Sequence, residues 1–478
     1  MTSNAASGRR ILGSLRSADV MLSANGRLPA RRVRGRIVGR FAGAVLAAGC
    51  LVIALADPVF AAPGGGVQMS PVSVLSTGCS GPNAEVVSAV GRPDYVYEAW
   101  IGCGGEGFAR STDGGLHFSQ PITLPDSSGS DDPALAVATD GTVYVSYLRY
   151  HDGFAYPVVA TSFDHGATFP QAASLNPGVP GNWGDRDFIA AGRNGKVYVT
   201  WDYGPSFGDV GLVCSPVGSC AYSNVDATAV VQTSTDHGKT WGPITFMQPG
   251  FPAGGGYDGS VVVEPNGTID ALVWNHHLDP ATFAVGPGFE DFTSSTDGGK
   301  TWSPFVRVGA SAGTIALPTW WIDGNLGIDH AGSLYATWET QTASSGTGWI
   351  SYSTDHGRTW AAPQQVVSGT ADAAEDVQVV GSIPGVADVA WQDDTSPNGY
   401  ATHLRQFSLK RGWLGPAIQI STQFGNPTVW PGDTFGLSAP TGGDSTYPAT
   451  RVVLSWGGGQ TDSQIYARVV HLPPTPAG

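Results

Sequence analysis

The sequence predicts an all-β protein, a β-propeller of four-stranded antiparallel blades, with seven blades favoured and six as the alternative. An eight-residue phrase recurs five times, and a second, strand-rich phrase recurs between its copies. The composition, with 67 Gly, 34 Pro and only 13% charged residues, favours short strands and tight turns over long helices. Repeats spaced by about 50–70 residues are typical of propeller blades.

The first 61 residues differ in composition from the rest of the chain. They contain nine Arg and two acidic residues, and they include the apolar run FAGAVLAAGCLVIALA at 41–56. A basic region, a hydrophobic region and small residues at Val59 and Ala61 are the parts of a signal peptide and its cleavage site. We therefore predict a secreted or extracytoplasmic protein with no membrane span after cleavage. An uncleaved anchor at 41–56 is the alternative.

We divide the chain into four segments. Residues 1–61 are the basic region and signal peptide or anchor, 62–82 an N-terminal segment, 83–470 the propeller and 471–478 a tail. The stretch VQMSPVSVL at 67–75 has the composition of a strand, and the last repeat unit lacks a fourth strand. We expect this stretch to complete the last blade, because closing the ring removes the open sheet edges.

Removing residues 1–61 leaves a strongly acidic chain. The basic residues fall to 24 − 9 = 15 and the acidic residues to 39 − 2 = 37, so the net charge is −22. This charge excludes nucleic acid as a partner, since phosphate binding needs clustered Lys and Arg. A neutral or basic glycan or polysaccharide fits better as a partner, and we expect a monomer.

Each repeat unit begins with a strand-rich phrase that ends in an aromatic residue. The aromatic residues of its seven copies are Trp100, Tyr147, Trp201, Trp274, Trp338, Trp391 and Trp456. The unit consists of strand A, a turn, strand B, a variable loop, strand C, the octapeptide turn and strand D. Seven such units indicate seven blades.

The octapeptide itself has the chemistry of a hairpin turn. In the copy STDHGKTW, Asp236 can accept backbone N–H bonds, Gly238 permits a positive φ, and Trp241 can pack under the turn. We interpret the phrase as structural, and its acidic residues are Asp113, Asp164, Asp236, Asp297 and Asp355. Histidines stand at a variable position of three copies, at 165, 237 and 356, and we expect them to be solvated.

The pattern S-x-D-x-G-x-T-W resembles the Asp-box (BNR) repeat of the sialidase superfamily. The resemblance covers about residues 65–470 and depends on four or five copies at blade spacing. It implies a β-propeller, often exported, often acting on glycans, in which the boxes are structural and lie away from the active site. Similar boxes also occur in seven-bladed propellers, which include glycan hydrolases and non-enzymatic assembly factors.

Antiparallel geometry places the octapeptides and the blade entries on opposite faces. The entries carry Glu85, Asp131, Asp132, Asp185, Arg186, Asp187, Asp258, Asp323, Glu375, Asp376 and Asp433. If strand A lines the axis, these side chains surround the mouth of the channel. Glycoside cleavage needs a pair of carboxyl groups, and the candidates are Asp132, Asp187, Asp258, Asp323 and Asp376.

Aromatic and basic residues near the entries suit sugar recognition by stacking and hydrogen bonding. The substrate-binding candidates are Arg149, Arg186, Trp183, Tyr257, Trp320, Trp321, Trp430, His276 and His277. A structural alternative stands beside this reading, because Asp at a strand start satisfies turn amides and an aromatic residue can seal a blade seam.

The predicted function is that of a glycoside hydrolase of sialidase-like fold, and the alternative is a non-catalytic propeller that binds a glycan or a protein. Sialidase activity itself is disfavoured. The chain has no match to the family's RIP-like arginine motif or to its Tyr–Glu nucleophile pair. We predict no required cofactor; Ca²⁺ is the candidate ion, with no local pattern that identifies its ligands.

Four cysteines follow the signal segment, and an even number in an exported protein suggests disulfides. Cys214 and Cys220 would close a short loop, which leaves Cys79 to pair with Cys103.

Overall fold

The computed structural model describes residues 66–91, 94–151, 154–175, 183–204, 210–214, 220–224, 228–247, 257–278, 285–310, 324–342, 345–367, 375–393, 400–422, 432, 434–440, 451–459 and 463–473. Residues 67–478 belong to one compact unit. Residues 1–65, with the predicted signal segment, lie outside the described residues. Among the described residues, no helix is long and apolar enough to span a bilayer.

The described chain is all-β. Its strands are, for the first half, β1 (Gln68–Met69), β2 (Ser73–Val74), β3 (Ala84–Val90), β4 (Val96–Gly102), β5 (Gly105–Ser111), β6 (Ile122–Thr123), β7 (Ser130–Val137), β8 (Val143–His151), β9 (Phe154–Ser162), β10 (Gln171–Ser174), β11 (Trp183–Ala191), β12 (Val197–Gly204), β13 (Val210–Cys214), β14 (Cys220–Asn224), β15 (Thr228–Ser234) and β16 (Thr245–Phe246). The second half contains β17 (Tyr257–Val263), β18 (Ile269–Leu278), β19 (Val285–Ser295), β20 (Val306–Ala310), β21 (Asn325–Ile328), β22 (Leu334–Thr342), β23 (Ser345–Ser353), β24 (Gln364–Gln365), β25 (Glu375–Ile383), β26 (Val386–Asp393), β27 (Ala401–Ser408), β28 (Gly412–Gln419), β29 (Gly436–Ser438), β30 (Arg451–Gly458) and β31 (Gln464–His471).

These strands form seven four-stranded antiparallel sheets within the described part of the chain, which we number as blades 1 to 7. Blades 1 and 2 are β3–β6 and β7–β10, and blade 3 is β11, β12, β15 and β16. Blades 4 to 6 are β17–β20, β21–β24 and β25–β28, and blade 7 is β29–β31 with β1. The first strand of each blade contacts the first strand of the next, and β29 contacts β3, so the ring is closed. The predicted seven-bladed propeller is confirmed.

The outer strand of blade 7 comes from the start of the described chain. Gln68 and Met69 of β1 pair with His471 and Val470 of β31, and β2 continues along the same strand. The N-terminal and C-terminal ends of the propeller therefore share one sheet, and β1 supplies the outer strand of blade 7.

A disulfide joins Cys79 to Cys103, as predicted. It links the segment that follows β2 to the turn between β4 and β5. In the two-stranded sheet β13–β14, the backbone register sets Cys214 opposite Cys220. The side chains of those two cysteines lie outside the described residues, so their disulfide stays a prediction.

The hydrophobic core is divided among the seams between blades. Separate clusters of buried side chains fill the seven seams, from that between blades 1 and 2 to that between blades 7 and 1. Six of the seven aromatic residues that end the strand-rich phrase are among them, and Trp100, Trp201, Trp338 and Trp456 are at most 2% exposed. Each blade therefore depends on its neighbours for burial, as expected of a repeat protein.

The octapeptides form one recurring hydrogen-bonded turn at the ends of the third strands. In the copy at Ser234, the Ser hydroxyl donates to Asp236 at 2.8 Å and accepts the N–H of Gly238 at 2.9 Å. Asp236 also accepts the N–H and the hydroxyl of Thr240, at 2.9 and 2.7 Å. These donors lower the pKa of Asp236 to about 2, the Thr240 hydroxyl contributing most. The other four copies repeat the bonds from Ser to Asp and from Gly to Ser.

The prediction that the octapeptide histidines are solvated holds for His356, whose side chain is 53% exposed, whereas His165 and His237 are half-buried. His165, His237 and His356 have positive φ values of 55° to 61°, a conformation that glycine adopts at the same place in the other two copies. Each side chain reaches the neighbouring blade: His165 stacks on Tyr95, His237 lies 3.2 Å from the Tyr144 hydroxyl, and His356 contacts Glu264. The octapeptide position is therefore restricted in backbone conformation and used for contacts between blades.

Candidate active site

The starts of the first strands lie at the edge of the ring opposite the octapeptides, and we call this edge the front face. The strand pairings define this face. In each of these blades the octapeptide Ser lies opposite the first residue of the second strand, as Ser234 does for Val197, so the octapeptides and the starts of the second strands share one edge. The antiparallel first strands begin at the other edge. The first strands also contact one another around the axis. The acidic blade entries therefore converge on the front face, as the sequence predicts.

A bulge interrupts the first strand of five described blades near its start. In four of these bulges the first extra residue is not glycine yet has a positive φ: 50° at Glu85, 54° at Asp132, 48° at Arg186 and 50° at Asp376. This conformation costs a non-glycine residue about 1–2 kcal/mol. Bulges redirect side chains, and strained backbone tends to collect at functional sites.

Carboxylates of neighbouring elements hold two of these bulges in place. The N–H of Arg186 donates to Oδ2 of Asp132 at 3.3 Å, which joins blade 3 to blade 2. The N–H of Asp376 donates to Oε2 of Glu339 at 3.1 Å, which joins blade 6 to blade 5. Asp132 and Glu339 therefore have a structural role in addition to any chemical one, since each satisfies a backbone donor of the next blade.

Four carboxyl groups from three blades gather beside Arg186, and we call Glu106, Asp131, Asp132 and Asp187 the front-face acid cluster. Glu106 comes from β5 of blade 1 and is 0% exposed. Ser130 donates a hydrogen bond to it at 2.9 Å. Burial raises the pKa of Glu106 well above its ordinary range, and the nearby Asp131 raises it further. Asp131 is itself 6% exposed.

Asp187 and Asp132 are neighbours in this cluster but have different surroundings. Asp187 is 4% exposed, and its burial raises its pKa well above the ordinary range. The Ser146 hydroxyl and the charge of Arg186 lower that pKa, while the charge of Asp132 raises it. Asp132 is half-buried and accepts the backbone N–H of Arg186. Two carboxyl groups held in different environments are the usual basis for separate acid and base roles.

The basic candidates differ in their burial. Arg186 is 6% exposed and lies within the cluster. Arg149, at the end of β8, forms an ion pair with Asp126 at 3.0 Å. Arg186 therefore lies beside Asp187 within the cluster, whereas Arg149 is paired with Asp126.

Other predicted site residues are described in part or not at all. Asp376 lies at the entry of blade 6, where Oδ1 accepts a hydrogen bond from Gln378 at 2.6 Å. The backbone alone is described for Trp183, Tyr257, Asp258, His276 and His277. Trp320, Trp321, Asp323 and Trp430 lie outside the described residues. Of the five predicted catalytic residues, the structure thus brings together Asp132 and Asp187, with Arg186 between them.

The sequence reasoning missed Glu106. A signal was present, because Glu106 lies five residues before Ser111 of the first octapeptide, and Glu290 lies five residues before Ser295 of the fourth. Glu290 is 2% exposed and lies beside Gly324, where an added Cβ would meet its Oε2 at 2.4 Å. A carboxyl group at this offset points toward the entry of the next blade in both cases.

Metal binding finds no support in the described part of the chain, where no group of three or more His, Cys, Asp or Glu side chains is arranged to hold an ion. The candidate role of Ca²⁺ stays a prediction.

No protein-family model matches the chain, and no curated protein sequence matches it. Among solved structures, it is similar to a polysaccharide lyase with a TM-score of 0.52 and 10% identity, covering 82% of this chain and 90% of the other. An ulvan lyase gives a TM-score of 0.50 with 12% identity, covering 81% and 95%. The α-L-arabinanase of Penicillium chrysogenum, complexed with arabinobiose, gives 0.46 with 13% identity, covering 84% and 98%. At these identities, the similarity to the two lyases concerns the fold.

Proposed function

We propose that this protein is an exported carbohydrate-active propeller that cleaves a glycan at the front-face acid cluster. The pair Asp132 and Asp187 carries the proposal. These residues lie on consecutive blade entries beside Arg186, and burial raises the pKa of Asp187, the more enclosed one, well above its ordinary range. Glycoside hydrolases use such a pair of carboxyl groups with divided roles.

Asp187, Asp132 and the neighbouring Arg186 each have a role in this proposal. Asp187, kept protonated by its burial, donates a proton to the leaving oxygen of the glycosidic bond. Asp132 is the more exposed of the two and either takes a proton from the water that attacks the sugar or attacks the sugar carbon itself. Arg186 holds a hydroxyl or carboxylate of the substrate next to them. Its bulged backbone directs the side chain from the start of β11.

The sequence and the comparisons support the substrate class and the export. The octapeptides resemble Asp boxes, and the two lyases of similar fold carry a polysaccharide in their names. The segment 1–61 and the disulfide between Cys79 and Cys103 fit an oxidising compartment outside the cytoplasm. We propose that the chain belongs with the Asp-box propellers on these grounds.

The test is a cleavage panel of neutral and acidic polysaccharides with the purified protein. New reducing ends report cleavage, and the ultraviolet absorbance of an unsaturated sugar distinguishes elimination from hydrolysis. We expect Asp187→Asn and Asp132→Asn to lower kcat by about 100-fold or more, the usual scale for an acid or base. Asp388→Asn, a change to a fully buried acid of β26 hydrogen-bonded to Gln406, is the matched control and should leave kcat unchanged.

The outcomes separate three cases. Turnover that survives both changes in the acid cluster, with an intact circular dichroism spectrum, places catalysis elsewhere. Turnover of no glycan, together with saturable binding of one, favours a binding protein. Neither turnover nor binding overturns the proposal as a whole.

A non-catalytic glycan- or protein-binding propeller is the second candidate. The observation that favours it is the structural use of Asp132 and Glu339, whose carboxylates satisfy the N–H groups of neighbouring bulges. A glycan array read beside the cleavage panel distinguishes the two candidates.

A further inference from the structure

A repeated tyrosine lies near the start of the second strand of four blades, on the side of the ring that carries the octapeptides. These residues are Tyr97, Tyr144, Tyr198 and Tyr335, each at most 1% exposed. Each pairs in register with the residue just before an octapeptide Ser, as Tyr335 does with Tyr352. Blade 4 has Asp270 at this position, opposite Ser294 and 0% exposed. Blade 4 thus has a buried carboxyl group at the position where four other blades have a buried tyrosine.

The partner of Asp270 is a second buried acid. Glu264 lies six residues earlier, in the turn between β17 and β18, and is 3% exposed. The equivalent residue of blade 5 is Asp329, which accepts the Tyr335 hydroxyl at 2.9 Å. An acid therefore faces a tyrosine in blade 5, whereas an acid faces an acid in blade 4.

A histidine of the next blade covers this pair. His356, from the blade 5 octapeptide, lies with Nδ1 at 2.6 Å from Oε2 of Glu264. Asn266 donates to the same oxygen at 3.0 Å. The His356 side chain is 53% exposed, so the contact can exchange protons with solvent. The contact joins the octapeptide turn of blade 5 to blade 4.

The stability of the Asp270–Glu264 pair depends on its protonation. Burial raises the pKa of Asp270, and the adjacent charge of Glu264 raises it further. The strand register sets Asp270 opposite Val262, two residues before Glu264, so the two buried carboxyl groups are neighbours on one hairpin. A hydrogen bond between two carboxyl groups needs one of them to be protonated. Both oxygens of Asp270 and Oε1 of Glu264 are buried without a hydrogen-bond partner among the described residues. Loss of the shared proton therefore leaves two adjacent charges away from water, which repel each other.

We propose that Asp270, Glu264 and His356 form a pH-sensitive latch that holds the blade 5 octapeptide turn against blade 4 and releases it at alkaline pH. Among the described residues, the titratable groups that meet here are Asp270 of β18, Glu264 of the turn before it and His356 of the octapeptide. An acid that is harder to ionise in the folded state binds an extra proton there. The latch is therefore strongest at pH values at which the pair keeps its shared proton. It is lost as pH rises through the value at which that proton dissociates.

Hydrogen exchange of the full chain, followed by mass spectrometry between about pH 6 and pH 10, tests the latch. Labelling times are scaled so that intrinsic exchange stays constant. In the wild type, protection of residues 353–357 and 264–270 should fall by about tenfold or more across this range, since each pH unit of linkage is a factor of ten. Asp270→Asn keeps the shape of the side chain, and its amide can donate to Glu264. In this variant the protection should change by no more than about twofold over the same pH range.

The control is Asp329→Asn, the same change in the next seam, where the acid meets Tyr335 and the N–H of Gly385. It should leave the pH dependence at 353–357 as in the wild type. If Asp270→Asn does not fold, Glu264→Gln removes the other member of the pair and should give the same flat profile. A wild-type profile without pH dependence, or a folded Asp270→Asn that follows the wild type, overturns the latch. None of these readouts depends on glycan cleavage.

Discussion

At the scale of single residues, the serine that begins each octapeptide is buried and organises the hydrogen bonds of the turn. Ser234 is 1% exposed, donates to Asp236 and accepts the N–H groups of Gly238 and Asp236. The turn therefore depends on one hydroxyl that is both donor and acceptor. Asp236 completes the network by accepting the backbone N–H of Thr240, on the other side of the turn.

Ser234→Ala should lower the free energy of unfolding by about 1–3 kcal/mol, because it leaves the buried N–H of Gly238 without its acceptor. Urea denaturation measures the change. Thr235→Ala, at the exposed neighbouring position, is the control and should stay within about 0.5 kcal/mol of the wild type. Equal stability of the two variants would contradict the role given to the serine.

At the scale of elements, the first strands approach closely where glycine replaces a side chain. Gly381 of β25 faces the backbone of blade 5, and an added Cβ would lie 2.3 Å from the carbonyl oxygen of Ile328. Gly327 of β21 faces Val379 in return, with the carbonyl oxygen at 3.0 Å from an added Cβ. Backbone contact of this kind determines how closely blades 5 and 6 pack.

Gly381→Ala should lower the free energy of unfolding by about 1–3 kcal/mol, because a methyl group there must push two strands apart. Gly242→Ala is the control: an added Cβ has one ordinary contact at 3.4 Å, so the variant should be near neutral. Thermal unfolding followed by near-ultraviolet circular dichroism compares the two. A neutral Gly381→Ala would mean that the strands separate at little cost.

At the scale of the whole molecule, ring closure brings a buried acid into the seam between blades 7 and 1. Glu98 is 0% exposed and accepts hydrogen bonds from Ser88 at 2.9 Å and from Ser455 of blade 7 at 2.6 Å. Burial raises its pKa from 4.5 to about 8, against the lowering effect of the two serines. The folded ring therefore binds a proton more tightly at Glu98 than the unfolded chain does.

This difference determines whether the stability of the fold rises or falls with pH. For an acid whose folded pKa is raised, the stability of the fold decreases as pH rises between about 4.5 and 8 and is level above. Glu98→Gln removes this titration, so its stability relative to the wild type should increase by a few kcal/mol from about pH 5 to pH 9. Urea denaturation at several pH values measures it. A curve for Glu98→Gln that runs parallel to the wild type would contradict the prediction.

The candidate site was predicted from the sequence in part. Blade spacing placed Asp132, Arg186 and Asp187 at strand starts, and the structure confirms that position. Their bulges were not predictable, because a bulge is a mismatch of register between two strands and no residue type specifies it alone. The contacts of His356 and Asp270 escaped prediction for a related reason, since each depends on a neighbouring blade.

By itself, the sequence determined the blade architecture, because each octapeptide carries its own hydrogen-bonding groups and marks one turn per blade. The tertiary structure alone decided which acids meet. Glu106, Asp132 and Asp187 come from three blades, and their burial and mutual charge exist only once the ring has formed. Protonation in such a cluster follows from desolvation and proximity, which are properties of the assembled ring rather than of any local stretch of chain.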